Sequence, residues 1–187
     1  MRPTRHAALL CLVLLGGCTG AMAPTQPPSL PASLQGGAAI PGRVAIANTA
    51  QVFGQPASVA GQPVRAANAI SQLEWLTVDI LTSQNFVNLP PTVPGALRQA
   101  RDAVRQAFGV VPDTTPQAAV NAFDGAASAL AGGDRAAAQA SLATVTGPAG
   151  APRALDLLSA LPSIPAAASG TAIAVNGLAT MDQRNFR

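Results

Sequence analysis

The chain has 187 residues, with 11 basic side chains, all arginine, against eight acidic ones; it contains one histidine, two cysteines, and neither lysine nor tyrosine. His6, Cys11 and Cys18 all lie within the first 18 residues. Beyond them the chain lacks the imidazole or thiol of Ser-His-Asp and Cys-His catalysis, the amine of Schiff-base chemistry, and the usual ligands of zinc and haem. Nine arginines against eight acids from residue 18 onward leave it near neutral, and one tryptophan provides no stacking platform, so nucleic acid is excluded as a partner.

The first residues order themselves as a signal peptide does: Arg2 and Arg5, then the apolar run Ala7 to Leu15, then Gly16-Gly17. The run is far shorter than the roughly 20 residues of a membrane-spanning helix, which reads as a segment to be removed. Leu15-Gly16-Gly17-Cys18 resembles the bacterial lipobox. That resemblance implies a diacylglycerol on the Cys18 sulfur, cleavage between Gly17 and Cys18, and an N-acyl group on the new amino terminus. Each buried CH₂ of an acyl chain contributes about 0.8 kcal/mol, and two or more chains anchor stably. Thr19 follows, not the aspartate associated with inner-membrane retention, so the resemblance points to the outer membrane and a periplasm-facing protein. Together with its many alanines and exclusive use of arginine, the chain looks like the Ala/Arg-rich lipoproteins of GC-rich proteobacteria, a likeness that implies no mechanism.

From Thr19 to Gly42 the sequence TGAMAPTQPPSLPASLQGGAAIPG is rich in Pro, Gly, Gln and Ser, a linker composition without apolar periodicity. Extended at about 3.1 Å per residue, it would hold a domain as far as ~75 Å from the bilayer. A short helix is expected over 43–53, with Ile46, Ala50 and Phe53 on one side, before Gly54, Pro56, Gly61 and Pro63 break the chain. Residues 18–62 therefore read as a disordered tether and 63–187 as the helical domain.

After Pro63 apolar residues recur at three- and four-residue intervals: Ala66, Ile70, Leu73, Thr77, Ile80 and Leu81, widened by Trp75 and Val78. The connector SQNFVNLPPTVPG follows, with Thr92 expected to cap the next helix. Leu97 to Phe108 places Leu97, Ala100, Val104, Ala107 and Phe108 on one face and Arg98, Arg101, Asp102 and Arg105 on the other, with an Arg98–Asp102 pair expected at i,i+4. Gly109 marks a left-handed stop, on which Val110 folds back.

Thr115-Pro116 and Asp134 signal two further starts, and Gly147-Pro148 a stop. The stretch QAAVNAFDGAASALAGGDRAAAQASLA between them resembles one helical hairpin of a tetratricopeptide-like array. The roughly 34-residue period of such arrays does not recur, so only an antiparallel hairpin is implied. Helices over 154–161 and 165–181 complete the chain. The last has no charge between Asp156 and Asp182, but Pro162, Pro165, Gly170 and Asn176 favour a buried bundle helix over a membrane segment.

Strand signals are nearly absent. The predicted fold is all-α: a small, alanine-rich bundle of five to six short antiparallel helices, with Trp75, Phe86, Phe108 and Phe123 supplying much of the core. Glu74 and Asp79 are the closest candidates for paired-carboxylate chemistry, but five helical residues turn about 140°, so they diverge and read as solvated or capping groups. No catalytic, metal or cofactor site is assigned.

Two functional expectations follow. The first is a non-enzymatic lipid-anchored scaffold or interaction module of the envelope, whose arginine face of Arg98, Arg101 and Arg105 meets an acidic protein partner or lipid headgroups. The alternative is a small-molecule or lipid carrier, with the 84–95 connector as a lid over an apolar pocket near Trp75.

Overall fold

Proline and glycine punctuate this chain, and most of its helices begin on proline. The computed structural model describes residues 27–37 and 39–185, and contains six α-helices and no strand among them. Four start on proline: α1 (Pro41–Gly54), α2 (Pro63–Thr82), α4 (Pro116–Ala131) and α6 (Pro165–Asn185). Proline suits the first turn because its φ is already helical and its missing N–H has no partner there. The others are α3 (Thr92–Phe108) and α5 (Arg135–Ser159). Thr115 and Asp134 cap α4 and α5 by accepting from the Ala118 and Ala137 N–H groups at 3.2 and 2.8 Å.

Several local expectations are corrected. Thr92 is the first helical residue of α3 and caps nothing, because Pro91 occupies the boundary. Gly147-Pro148 bends α5 instead of ending it: Gly147 adopts φ 72°, ψ 161°, and a second helical segment resumes at Pro148, six residues before the predicted start. Gly109 is left-handed as expected, with φ 68° and ψ 34°.

Helix α2 is the central element, packed against α1, α3, α4 and α5. Twelve of its residues are buried, far more than one face of an amphipathic helix presents. Ser71 Oγ donates to the Val120 carbonyl at 3.1 Å, and Asn48 on α1 donates to Gln72, so both neighbours are tied to the middle of α2. The α4–α5 hairpin packs on α2 through both of its helices, whereas α6 packs against α1 and α3. Within the hairpin Gly125 allows close approach, since a Cβ there would meet Ser141 Oγ at 3.0 Å.

The largest departure is at the N-terminal boundary. Residues 28–37 and 39–62 belong to the bundle: Pro28, Leu30, Leu34, Ile46, Val52, Phe53 and Val59 are all buried. Gln72 Nε2 donates to the Leu34 carbonyl at 2.9 Å, pinning this segment to α2. The expected helix over 43–53 is present within α1, but it and the apolar residues that flank it among Pro, Gly and Ser are core and not tether. The predicted signal peptide over 1–17, Cys18 and residues 19–26 of the predicted tether lie outside the described residues.

Trp75, Phe86, Phe108 and Phe123 are buried as predicted, the last two in an edge-to-face contact with centroids 5.7 Å apart. Leu81 is not, lying 57% exposed on the last turn of α2.

Candidate functional site

An amphipathic helix leaves a glutamate in water; α2 has too little exposed surface to do so. Glu74 is 1% exposed and faces α3, where Arg105 meets it with two parallel bonds, Nε to Oε1 and Nη2 to Oε2, both 2.7 Å. The remaining Arg105 amine nitrogen, Nη1, donates to the Thr114 carbonyl at 2.9 Å, so one guanidinium links α2, α3 and the connector before α4. Such a fork matches a carboxylate in both geometry and charge. Burial raises the proton affinity of Glu74 above that of an ordinary carboxyl, with Arg105 acting in the opposite direction. Arg105 itself is held more firmly protonated by its bond to Glu74.

This pairing revises the arginine face. Arg98 is exposed as predicted, but Asp102 pairs with Arg101, its chain neighbour, at 2.8 Å and not with Arg98. Arg105 is turned inward and is spent on Glu74 and Thr114, so of the three arginines only Arg98 is fully exposed, Arg101 being half-buried and bonded to Asp102. Arg101, Asp102, Arg105 and Gln106 line an open groove of about 630 Å³ whose other wall is Gly109 to Pro112. Val111 on that wall is 47% exposed.

Glu74 and Asp79 do diverge. Glu74 turns to α3, whereas Asp79 lies at the start of α1, its Oδ2 3.0 Å from the position of a Cβ on Gly42. Both depart from the expected solvated state, Glu74 fully and Asp79 in part, and burial raises the proton affinity of Asp79 as well. Among the described residues no group of three His, Cys, Asp or Glu is placed to hold a metal ion. Nor is any described helix long and apolar enough to cross a membrane.

The 84–95 connector puts Phe86 and Val93 into the core and leaves Asn85, Val87 and Asn88 exposed. Phe86 is 3% exposed and lies so close to Gly42 that a Cβ there would sit 2.5 Å from its ring, and Trp75 is 8% exposed. The hollow that the connector does line, with Pro90, Thr92 and Val93 opposite Ile173, Asn176, Gly177 and Thr180, is open and about 210 Å³.

A second ion pair joins elements distant in sequence. Arg43 at the start of α1 holds Asp182 near the end of α6 with two hydrogen bonds, Nη1 to Oδ2 at 2.9 Å and Nη2 to Oδ1. The guanidinium depresses the Asp182 carboxyl below its ordinary range.

The Glu74–Arg105 pair is the feature that sequence reasoning missed. Its signal was a glutamate inside a wide apolar face, between Leu73 and Trp75, which requires a partner once that face is enclosed. No family model, curated protein or solved structure matches this chain.

Proposed function

We propose that this protein is a non-enzymatic, lipid-anchored envelope protein, a helical interaction module fixed to the outer membrane through acylated Cys18 and facing the periplasm. The carrying observation is the sequence Leu15-Gly16-Gly17-Cys18 directly after a short apolar run preceded by Arg2 and Arg5. The chemistry of the rest agrees with such a role: beyond Cys18 the chain has no cysteine, histidine or lysine, and its most buried charges, Glu74 and Arg105, are spent on each other. The lipid is covalent, and no cofactor or nucleic acid enters the reading. Exposed Arg98, and the Arg101–Asp102 pair that lines the groove at Gly109 to Pro112, are the charged groups offered to an envelope protein partner.

Metabolic labelling with palmitate tests the anchor. Wild type incorporates label and fractionates with membranes, whereas Cys18→Ser does neither; an unlabelled wild type removes the proposal. Crosslinking in intact cells tests the module: a partner adduct lost in Arg98→Ala/Arg101→Ala supports it, and an adduct pattern identical in both proteins moves the contact elsewhere.

A further inference from the structure

Between Arg43 and Arg65, and again between Asp156 and Asp182, the chain carries no charged side chain. The fold brings these two stretches together. Helices α1 and α6 pack on each other, and the Arg43–Asp182 pair joins the start of α1 to the last turns of α6. Beyond the other end of α1, the Gly61 N–H donates to the Ser159 carbonyl at 2.9 Å, which joins the connector after α1 to the residues ahead of α6. The two helices are therefore antiparallel neighbours, and between the ion pair and that backbone bond neither carries a charge.

This surface is open to solvent. On α6, Ser169, Ala172, Asn176 and Ala179 recur at three- and four-residue spacing and are all exposed, as are Ala47 and Gln51 on α1. Beside the α6 stripe, Ile173 and Val175 are 40% and 39% exposed, two of the five large apolar side chains left in water among the described residues. The hollow of about 210 Å³ next to Ile173 is likewise lined by uncharged residues alone. Helix α3, also packed on α6, shows the contrast, since it carries Arg98, Arg101, Asp102 and Arg105. Depletion of charge marks the core of a protein interface and not a solvated face.

We propose that the joint outer face of α1 and α6 is the contact between two copies of this chain, paired about a two-fold axis with their α6 helices facing. Two-fold pairing sets residues near the axis opposite their own counterparts, where any charge would meet its like; a face without charge meets none. At about 1.5 Å per residue α1 and α6 are roughly 20 and 30 Å long and lie ~8–10 Å apart, so their joint face covers on the order of 600 Å² per copy. A pair would bury about 1,200 Å², where stable specific interfaces begin. A lipid surface is the poorer match: helices that lie on one carry rows of cations and aromatic anchors, and α6 has neither before Asp182. The pairing uses neither the groove at Gly109 to Pro112 nor a lipid on Cys18, so it stands or falls separately from the function proposed above.

Photocrosslinking tests it in the full chain. Cells make two differently tagged copies with p-benzoylphenylalanine in place of Ala172 on α6 or of Arg98 on α3, both exposed positions. Ultraviolet light is expected to give an adduct of twice the chain mass, bearing both tags, several-fold more from position 172 than from position 98. Asn176→Arg, one turn along the same exposed stripe, sets like charges in the contact and should abolish the adduct. Its circular-dichroism melt should be unchanged, because the site is exposed and arginine is the better helix former. Ser169→Arg repeats the test at a second exposed position, so that loss of the contact is read apart from loss of the fold. Absence of a doubly tagged adduct at 172, an adduct with a different protein in its place, or equal yields at 172 and 98 overturns the pairing. So does an adduct that survives both arginine substitutions.

Discussion

Arg105 shows how one side chain decides the character of a surface. Its guanidinium neutralises Glu74 in the interior and holds the Thr114 carbonyl, so truncating it leaves a carboxylate without its counter-ion in a dry site. Arg105→Ala is expected to lower unfolding free energy by about 3 kcal/mol or more, read from urea denaturation. The double substitution Glu74→Leu/Arg105→Met should recover most of that loss, since two apolar groups of similar volume need no partner. A double variant as unstable as the single one would show that the Thr114 link carries the effect.

The Arg43–Asp182 pair is half-exposed, and its contribution depends on pH. Its carboxyl has a lower proton affinity folded than unfolded, so its contribution is complete above the ordinary aspartate value and disappears as pH falls through the depressed one. The difference in thermal midpoint between wild type and Asp182→Asn should be constant above about pH 5 and shrink toward zero on acidification. Melts followed by circular dichroism from neutral to acid pH measure it, and a pH-independent difference would contradict the assignment.

At the scale of elements, the contact of α6 with α3 depends on the absence of side chains. A Cβ on Gly170 would stand 2.5 Å from the Ala96 carbonyl oxygen and 2.9 Å from the Ala100 Cβ, and one on Gly177 would stand 2.5 Å from Val93 Cγ2. Ala167, Thr171 and Ala174, at helical spacing with these glycines, are fully buried as well. Gly170→Ala therefore forces the helices apart, at a cost of about 1–3 kcal/mol that exceeds its gain in helix propensity. Gly95 in α3 has nothing within 4 Å of its Cβ position, so Gly95→Ala should instead stabilise by about 0.5–1 kcal/mol. Opposite signs for one chemical change in neighbouring helices are the expected result of paired denaturation curves, and equal signs would refute the seam.

The same seam explains what was legible at this scale. Caps at Thr115 and Asp134 and the stop at Gly109 were visible because they act within a few residues. The charge-free stretch before Asp182 was ambiguous, since small residues suit both a membrane helix and a close soluble contact; α6 resolves it by placing Gly170, Ala174 and Gly177 against its neighbours. Helix α2 was recognisable from its period, but its enclosure on nearly every side was not, and so neither was the pairing of Glu74.

For the whole molecule, the boundary of the folded unit has a direct test. Leu30, Leu34, Ile46, Val52, Phe53 and Val59 are core residues, so a chain beginning at Pro63 loses much of the apolar surface that covers α2. It is expected to lack a cooperative thermal transition, whereas a chain beginning at Pro27 should melt like the mature protein. A cooperative transition in the shorter chain would restore residues 27–62 to the status of a linker.

By itself the sequence determined the helical class, most helix starts and stops, and the lipobox-like pattern at Cys18 on which the proposed anchor rests. These are local properties, written in proline geometry, capping side chains and apolar spacing over a few turns. Tertiary structure alone decided which face of α2 is hidden, which carboxylate needs an arginine, and that the segment around Leu30 and Leu34 is core instead of tether. Those outcomes depend on surfaces brought together across 30 residues or more, where burial and charge compensation act between elements and leave no period in the chain.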